Sequence, residues 1–168
     1  DKITAVVNET DLADGIQKID LDGAYLAPGL IDLQIYGTGP FFFGGQPSVE
    51  NLAGMERELL LQGCTGFMAT VATNTSDIVE RGIEAAKAYR KQTGGSFLGL
   101  HLEGPYLNAE RRGAHPESLI RKATLSEVKR WVEMAEGEIR MMTIAPELQD
   151  AEVLAYLDEQ GIILSSGH

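Results

Sequence analysis

"SFLGLHLEGP", residues 96–105, is the stretch on which the reading of the fold turns. Phe97, Leu98, Leu100 and Leu102 leave no continuous polar face, and Gly104-Pro105 stops the run. A short strand of this kind is expected where helices cover both sides of a parallel sheet. Glu103 stands where the strand gives way to its loop. A carboxylate there is either a strand-end group facing water, or a metal ligand or catalytic group at the mouth of an α/β fold. Strand alternation puts His101 on the same face, one layer below.

Outward from this strand the same unit recurs. Upstream, "LIDLQIYG" (30–37) predicts a strand, followed by a Gly/Phe-rich loop and a helix from Ser48 to Gln62. Ser48 suits its N-cap and Gly63 its C-terminal stop. "TGFMATV" (65–71) predicts the next strand, and Ile78, Val79, Ile83, Ala86 and Tyr89 mark a helix over 76–92. Downstream, a long loop leads to a helix over 125–135, opened by Thr124 with Glu127 in the capping-box position. "EIRMMTIAPE" (138–147), a helix in "DAEVLAYLDEQ" (150–160) and "GIILSSGH" (161–168) complete the series. Five strands alternating with four helices predict parallel βαβ units. Both an open doubly wound sheet and the first part of a (β/α)8 barrel satisfy that pattern. No GxGxxG follows the first strand and no GxxxxGK[ST] occurs, so nucleotide-binding open sheets lack their usual signature.

Residues 1–28 have a different rhythm. Brief apolar alternations in "KITAVV" and "IQKIDLDGAYLAPG" are broken by Asp22-Gly23 and Pro28-Gly29, and predict small antiparallel strands outside the main core.

Composition narrows the function. A net charge of −11 argues against a general nucleic-acid or anionic-membrane surface, which needs a basic footprint, but leaves room for a local basic pocket. With 43% hydrophobic and 23% charged residues over 168 positions, a soluble globular chain with one sizeable core is expected. The single cysteine, Cys64, precludes an internal disulfide and reads as a small buried filler. No apolar run approaches a membrane span and Asp1-Lys2-Ile3 has no signal-peptide pattern, so the cytoplasm is the expected location. The missing initial Met and the ending at His168 suggest a chain cut at both ends.

The chemistry-bearing residues gather at the C-terminal ends of the predicted strands: Gln34 and Tyr36, Thr73 and Asn74, His101 and Glu103, Thr143 and Glu147, Ser166 and His168. Parallel α/β folds place active sites at that edge. Taken singly each residue has a plain reading; His101 alone is better read as a hydrogen-bonded core histidine than as a ligand. Together, a carboxylate and imidazoles from different strands form a normal donor set for Zn²⁺ or Fe²⁺ with an open position for water. The loop "NAERRGAHPE" (108–117) adds Arg111, Arg112 and His115. It reads either as a solvated charged loop or as a substrate loop in which Gly113 permits close backbone approach.

In order and spacing, "YLAPGLIDLQIYG", "ATVATN", "GLHLEGPYLN", "RRGAH", "TIAPE" and "SSGH" resemble the N-acetylglucosamine-6-phosphate deacetylases of the amidohydrolase superfamily. The resemblance covers nearly the whole chain, and "HLEGP" followed by "GAH" is its most specific part. It implies a metal-dependent α/β fold, the (β/α)8 TIM barrel of amidohydrolase type. Residues 29–168 then supply only the first five strands, and residues 1–28 a remnant of a small β-sandwich domain. It implies hydrolysis of N-acetylglucosamine 6-phosphate to glucosamine 6-phosphate and acetate, in amino-sugar catabolism. Carried over by motif, Glu103 and His168 ligate one divalent metal, Zn²⁺ or Fe²⁺, while Ala114 and His115 contact the sugar. Many amidohydrolases carry HxH after strand one; Gln34 and Tyr36 stand there instead, which favours a single-metal site, with Gln34 at most orienting water or supporting the vacant position. The resemblance puts both the acid–base Asp and a further metal-binding histidine beyond His168, so two metal ligands and no catalytic residue are expected within the chain, and a 168-residue piece alone is expected to be inactive. The expected partners are a small amino-sugar phosphate and a second copy in a homodimer, with neither nucleic acid nor membrane. A dihydroorotase-like or deaminase-like amidohydrolase is a rival that the missing HxH counts against. A catalytically dead scaffold binding sugar phosphates is the other.

Overall fold

Three strands of the sheet begin just after a helix has been turned back through left-handed backbone. Gly63 (φ +82°), the pair Glu136-Gly137 (φ +49° and +89°) and Gly161 (φ +70°) make these turns. The last helical carbonyls are closed in each case, and the chain re-enters the sheet within two or three residues. The computed structural model describes residues 3–92 and 95–168. The elements are β1 (Leu30–Ile35), a hairpin of β2 (Gly37–Thr38) and β3 (Phe41–Phe42), α1 (Val49–Leu61), β4 (Cys64–Ala72) and α2 (Ser76–Arg90). Then follow β5 (Phe97–Glu103), α3 (Leu125–Ala135), β6 (Ile139–Ile144), α4 (Ala151–Glu159) and β7 (Ile163–Ser166). The predicted caps are present: Ser48 Oγ accepts from Asn51 N, and Thr124 Oγ1 from Glu127 N.

The five long strands pair in parallel in the order β1-β4-β5-β6-β7, each next to its successor in the chain. Strands added always on one side give the curled half-barrel; a doubly wound sheet reverses direction at a switch point, and this sheet does not. The predicted strand in 30–37 ends at Ile35, and the Gly/Phe-rich stretch behind it forms the small antiparallel hairpin.

The two faces of the sheet differ. Phe67, Ala69 and Val71 of β4, Leu100 and Leu102 of β5, and Met142 and Ile144 of β6 face the helices. There they pack with Leu52, Met55, Ile83, Trp131 and Leu157 in one buried cluster. Each Val, Leu, Ile, Phe or Met among them contributes about 1.5–3 kcal/mol on burial. The other face carries Thr70, His101, Glu103 and Thr143, polar and buried. His101 is the strut of that inner face. Its Nδ1 lies 2.8 Å from the Leu33 carbonyl on β1 and its Nε2 2.8 Å from Thr143 Oγ1 on β6. The carbonyl can only accept, so Nδ1 carries the proton and Nε2 accepts from the Thr143 hydroxyl. One side chain thus reaches across β4 and ties three strands into a curve. The hydrogen-bonded core histidine read from the sequence is what the fold contains.

Residues 3–29 depart from expectation. Among them only a single turn of 3-10 helix, Glu9–Asp11, is regular, and none pairs as a strand. Val6, Ile19, Tyr25 and Leu26 stand exposed. The alternation predicted strands, but a strand needs a neighbour's backbone donors and acceptors, and the described chain offers this segment none. The first two residues of the stretch predicted as a sandwich remnant lie outside the described residues.

Candidate metal centre

Glu103 ends β5 on the inner face, 5% exposed, and the side chains around it come from every neighbouring part of the sheet edge. His168, two residues past β7, brings Nε2 to 3.2 Å from Glu103 Oε1. His115, in the long loop after β5, brings its own Nε2 to 3.7 Å from the same oxygen. The donor atoms of Glu103, His115 and His168 all lie within 4.8 Å of one another, and the two imidazoles meet edge to face at 4.6 Å. Gln34 Nε2 donates to Glu103 Oε1 at 3.0 Å and to Tyr36 Oη at 2.7 Å, and the Tyr36 phenol donates to Glu103 Oε2.

The surroundings set the protonation states. Burial pushes the Glu103 carboxyl up, but the Tyr36 hydrogen bond and the two histidines more than offset it, and the acid is held below its ordinary value. Burial is the main cause that lowers His115 and His101, outweighing the pull of Glu103. Burial, then the bond to Glu103, raises the Tyr36 phenol, which therefore keeps its proton. At neutral pH the cluster is a carboxylate facing a neutral imidazole.

Thr73 decides which imidazole nitrogen is free. Its hydroxyl donates to the Glu103 main-chain carbonyl at 3.3 Å and lies 2.8 Å from His115 Nδ1. A hydroxyl has one proton, so His115 Nδ1–H is the donor to Thr73 and Nε2 keeps a lone pair turned toward Glu103. That is how second-sphere partners fix metal-binding histidines. The loop is seated by Arg112 Nη1 donating to the His115 carbonyl at 3.0 Å and by Asn108 N donating to the His168 carbonyl at 2.9 Å. Gly113 has φ +59°, and a Cβ added there would stand 3.8 Å from the His168 ring.

One carboxylate and two imidazoles suit a divalent cation of borderline character, and three protein donors leave a position open. The chemistry of the donor set therefore fits the metal that the sequence implied. Beside it lies a concavity of about 310 Å³ bordered by Tyr36, Glu103, Ala114, His115 and Pro116. All five residues singled out from the sequence, Gln34, Glu103, Ala114, His115 and His168, meet at this one place. The motifs group Glu103 with His168 and place His115 apart in a substrate loop, whereas the fold brings His115 beside both and ties Gln34 and Tyr36 to the carboxylate. Nothing local in the sequence marks Thr73 as the partner of His115.

No protein-family model matches the chain. The N-acetylglucosamine-6-phosphate deacetylase of Haemophilus influenzae is 37% identical over 166 residues, covering 99% of this chain. The chain is homologous to part of the N-acetylglucosamine-6-phosphate deacetylases. It spans about two fifths of their length, 43% of the Haemophilus deacetylase. The crystal structure of the Pasteurella multocida deacetylase superposes with a TM-score of 0.91 at 35% identity, over 100% of this chain and 44% of that one. The Mycobacterium smegmatis deacetylase, solved in complex with N-acetyl-D-glucosamine-6-phosphate, superposes at 0.73 with 31% identity, over 84% of this chain and 36% of that one. These deacetylases share the curled five-stranded parallel sheet that carries Glu103 and His168 here.

Proposed function

We propose that the chain is the metal-binding part of a hydrolase that removes the acetyl group from N-acetylglucosamine 6-phosphate. The observation that carries the reading is the convergence of Glu103, His115 and His168 at the sheet edge of a deacetylase homologue. In this proposal the five strands of residues 29–168 belong to an eight-stranded barrel, and residues 1–28 to a small β-sandwich completed by other parts of the protein. The protein acts in the cytoplasm as a homodimer; no helix among the described residues is long and apolar enough to cross a membrane.

Glu103, His115 and His168 hold one Zn²⁺ or Fe²⁺ ion. When bound, such an ion polarises an amide carbonyl and acidifies water at neutral pH. The chain's own groups prepare the site for it. Glu103 supplies the negative charge, and Tyr36 and Gln34 fix the carboxylate plane. Thr73 holds His115 in the tautomer with a free Nε2. Ala114 borders the concavity and contacts the sugar, His115 adding only the face of its ring because both of its nitrogens are taken, and the main chain at Gly113 allows close approach. Gln34, its amide at the rim, orients water. No residue of 1–168 is assigned the proton transfer, which falls to a carboxylate outside this sequence.

The test is acetate release from N-acetylglucosamine 6-phosphate by the intact gene product, before and after chelation. Release that stops with chelator and returns with Zn²⁺ or Fe²⁺ is expected. Absence of release from a metal-loaded, folded protein would overturn the assignment.

A further inference from the structure

We propose that Tyr36 is a positioning residue of the metal centre: its phenol holds Glu103 Oε2 away from the cation, so that the carboxylate binds through Oε1 alone. The inference rests on the metal centre of the preceding reading.

The two oxygens of Glu103 have different neighbours. Oε1 faces His168 Nε2 at 3.2 Å and His115 Nε2 at 3.7 Å, the side on which the donor atoms converge. Oε2 meets the Tyr36 hydroxyl. Carboxylates bind cations through one oxygen or both. Each oxygen of Glu103 accepts a hydrogen bond, Oε1 from Gln34 and Oε2 from Tyr36, but only Oε1 lies on the side where the imidazole nitrogens converge, and the phenol keeps Oε2 turned to the other. The phenol has little choice of acceptor. Gln34 Nε2 reaches both Tyr36 Oη (2.7 Å) and Glu103 Oε1 (3.0 Å), and the carboxylate can only accept, so the amide nitrogen faces inward. Tyr36 Oη therefore accepts from Gln34 and gives its single proton to Oε2. Gln34, Tyr36 and Glu103 form a closed ring of hydrogen bonds in which each oxygen of the acid has its own partner.

The backbone holds the phenol in that place. The β1 register shifts between Asp32 and Ile35, and Tyr36 follows directly. Gly44 N donates to the Tyr36 carbonyl at 2.8 Å as the β2–β3 hairpin turns back. Gly44 also packs against the Tyr36 side chain: a Cβ there would stand 3.2 Å from that of Tyr36. The strand-one position that holds a cation ligand in the HxH pattern thus acts here on the metal through Glu103.

Co²⁺ is the probe, added to the intact metal-free gene product. Tyr36→Phe removes one hydroxyl and keeps the ring. Its expected effect is a 10–100-fold weaker Co²⁺ affinity, the usual cost of losing an outer-sphere partner. The visible Co²⁺ absorption should change as Glu103 turns to bind through both oxygens, with the metal-free thermal midpoint close to wild type. Affinity within about twofold of wild type and an unaltered spectrum would overturn the proposal. A crystal structure of the wild-type Co²⁺ form decides it independently of how the variant folds. Oε1 alone on the ion supports the proposal, and both oxygens on the ion overturn it. Acetate release measured on the same wild-type preparation separates the two claims. Co²⁺ held through Oε1 without turnover leaves Tyr36 in its role and ends the deacetylase reading, whereas turnover with both oxygens on the ion does the reverse.

Discussion

Two buried glutamates stand at opposite ends of the same sheet. Glu138, just ahead of β6, is 7% exposed, and Glu103, at the end of β5, is 5% exposed. Glu138 is gripped by a guanidinium: Arg90 Nε and Nη2 donate to its two oxygens at 2.9 and 3.0 Å, while Nη1 donates to the Phe97 carbonyl at 2.6 Å. Arg90 also lies over the Phe97 ring at 4.8 Å. That carboxylate has a permanent partner of fixed geometry and holds helix to sheet. Glu103 is given a phenol, an amide and two imidazoles, none of them a permanent cation. Burying an acid without a permanent cation beside it leaves its charge available to a ligand. Burial alone does not mark a functional carboxylate. The kind of partner does.

Removing the Glu103 charge is expected to have the largest effect. In the intact protein, Glu103→Gln is expected to weaken divalent metal binding by more than about 100-fold, beyond the loss typical of an outer-sphere partner. Equilibrium dialysis with Zn²⁺ checks it, and retained tight binding would place the metal elsewhere.

The opposite manipulation acts on the other end. Arg90→Met strands Glu138 without its cation. It is expected to lower the free energy of unfolding by about 3 kcal/mol, the low end for breaking a buried pair because Arg90 is partly exposed. Metal affinity should stay within about twofold, since the two sites share no partner. Denaturant melts and dialysis on the same sample read both numbers, and a large change in metal affinity would mean that the two ends are coupled.

Metal should stabilise the fold through the Glu103 end alone. At a free Zn²⁺ concentration about 100 times Kd, linkage gives roughly 2.7 kcal/mol of added stability. That increment should vanish in Glu103→Gln and survive in Arg90→Met.

Acidity sharpens the contrast in the metal-free protein. His101 and His115 are held below their ordinary values, by burial first. Below about pH 6.5 the unfolded chain binds protons that these two rings in the fold resist, so it carries more protons than the native state. Stability then rises with pH in that window and falls on acidification. Glu103 acts in the same direction further down, because its pKa is lowered and its contribution is lost as the pH falls through the folded value. Urea midpoints that stay flat from about pH 7.5 to about pH 5.5 would show the imidazoles as free to charge inside as outside.

The smallest effect concerns the strut. Thr143→Val removes the hydroxyl that His101 Nε2 accepts from and is expected to cost about 1 kcal/mol. A thermal melt reads it.

Local chemistry made much of this legible in advance. Apolar runs, Gly63 as a helix stop, and Ser48 and Thr124 as caps marked where helices stop and strands start, because hydrogen bonding and backbone freedom act over a few residues; Gly137 and Gly161 prove to make the same turn. The strand-end positions of Glu103 and the nearby His168 followed from the same periodicity. Residues 3–29 show its limit, since alternation describes a strand's faces but does not supply its neighbour.

The βαβ order, the parallel sheet and the edge on which the polar groups lie are thus written in the local pattern of residues. That His115 joins Glu103 and His168, that Thr73 sets its tautomer and that Tyr36 takes the second oxygen of the acid follow from the folded arrangement alone. The difference is one of reach. Those contacts depend on how far the sheet curls, which His101 fixes by tying β1 to β6, and on the path of a long loop that returns over the sheet edge. Distances between residues so far apart in the chain exist only after the chain has closed on itself.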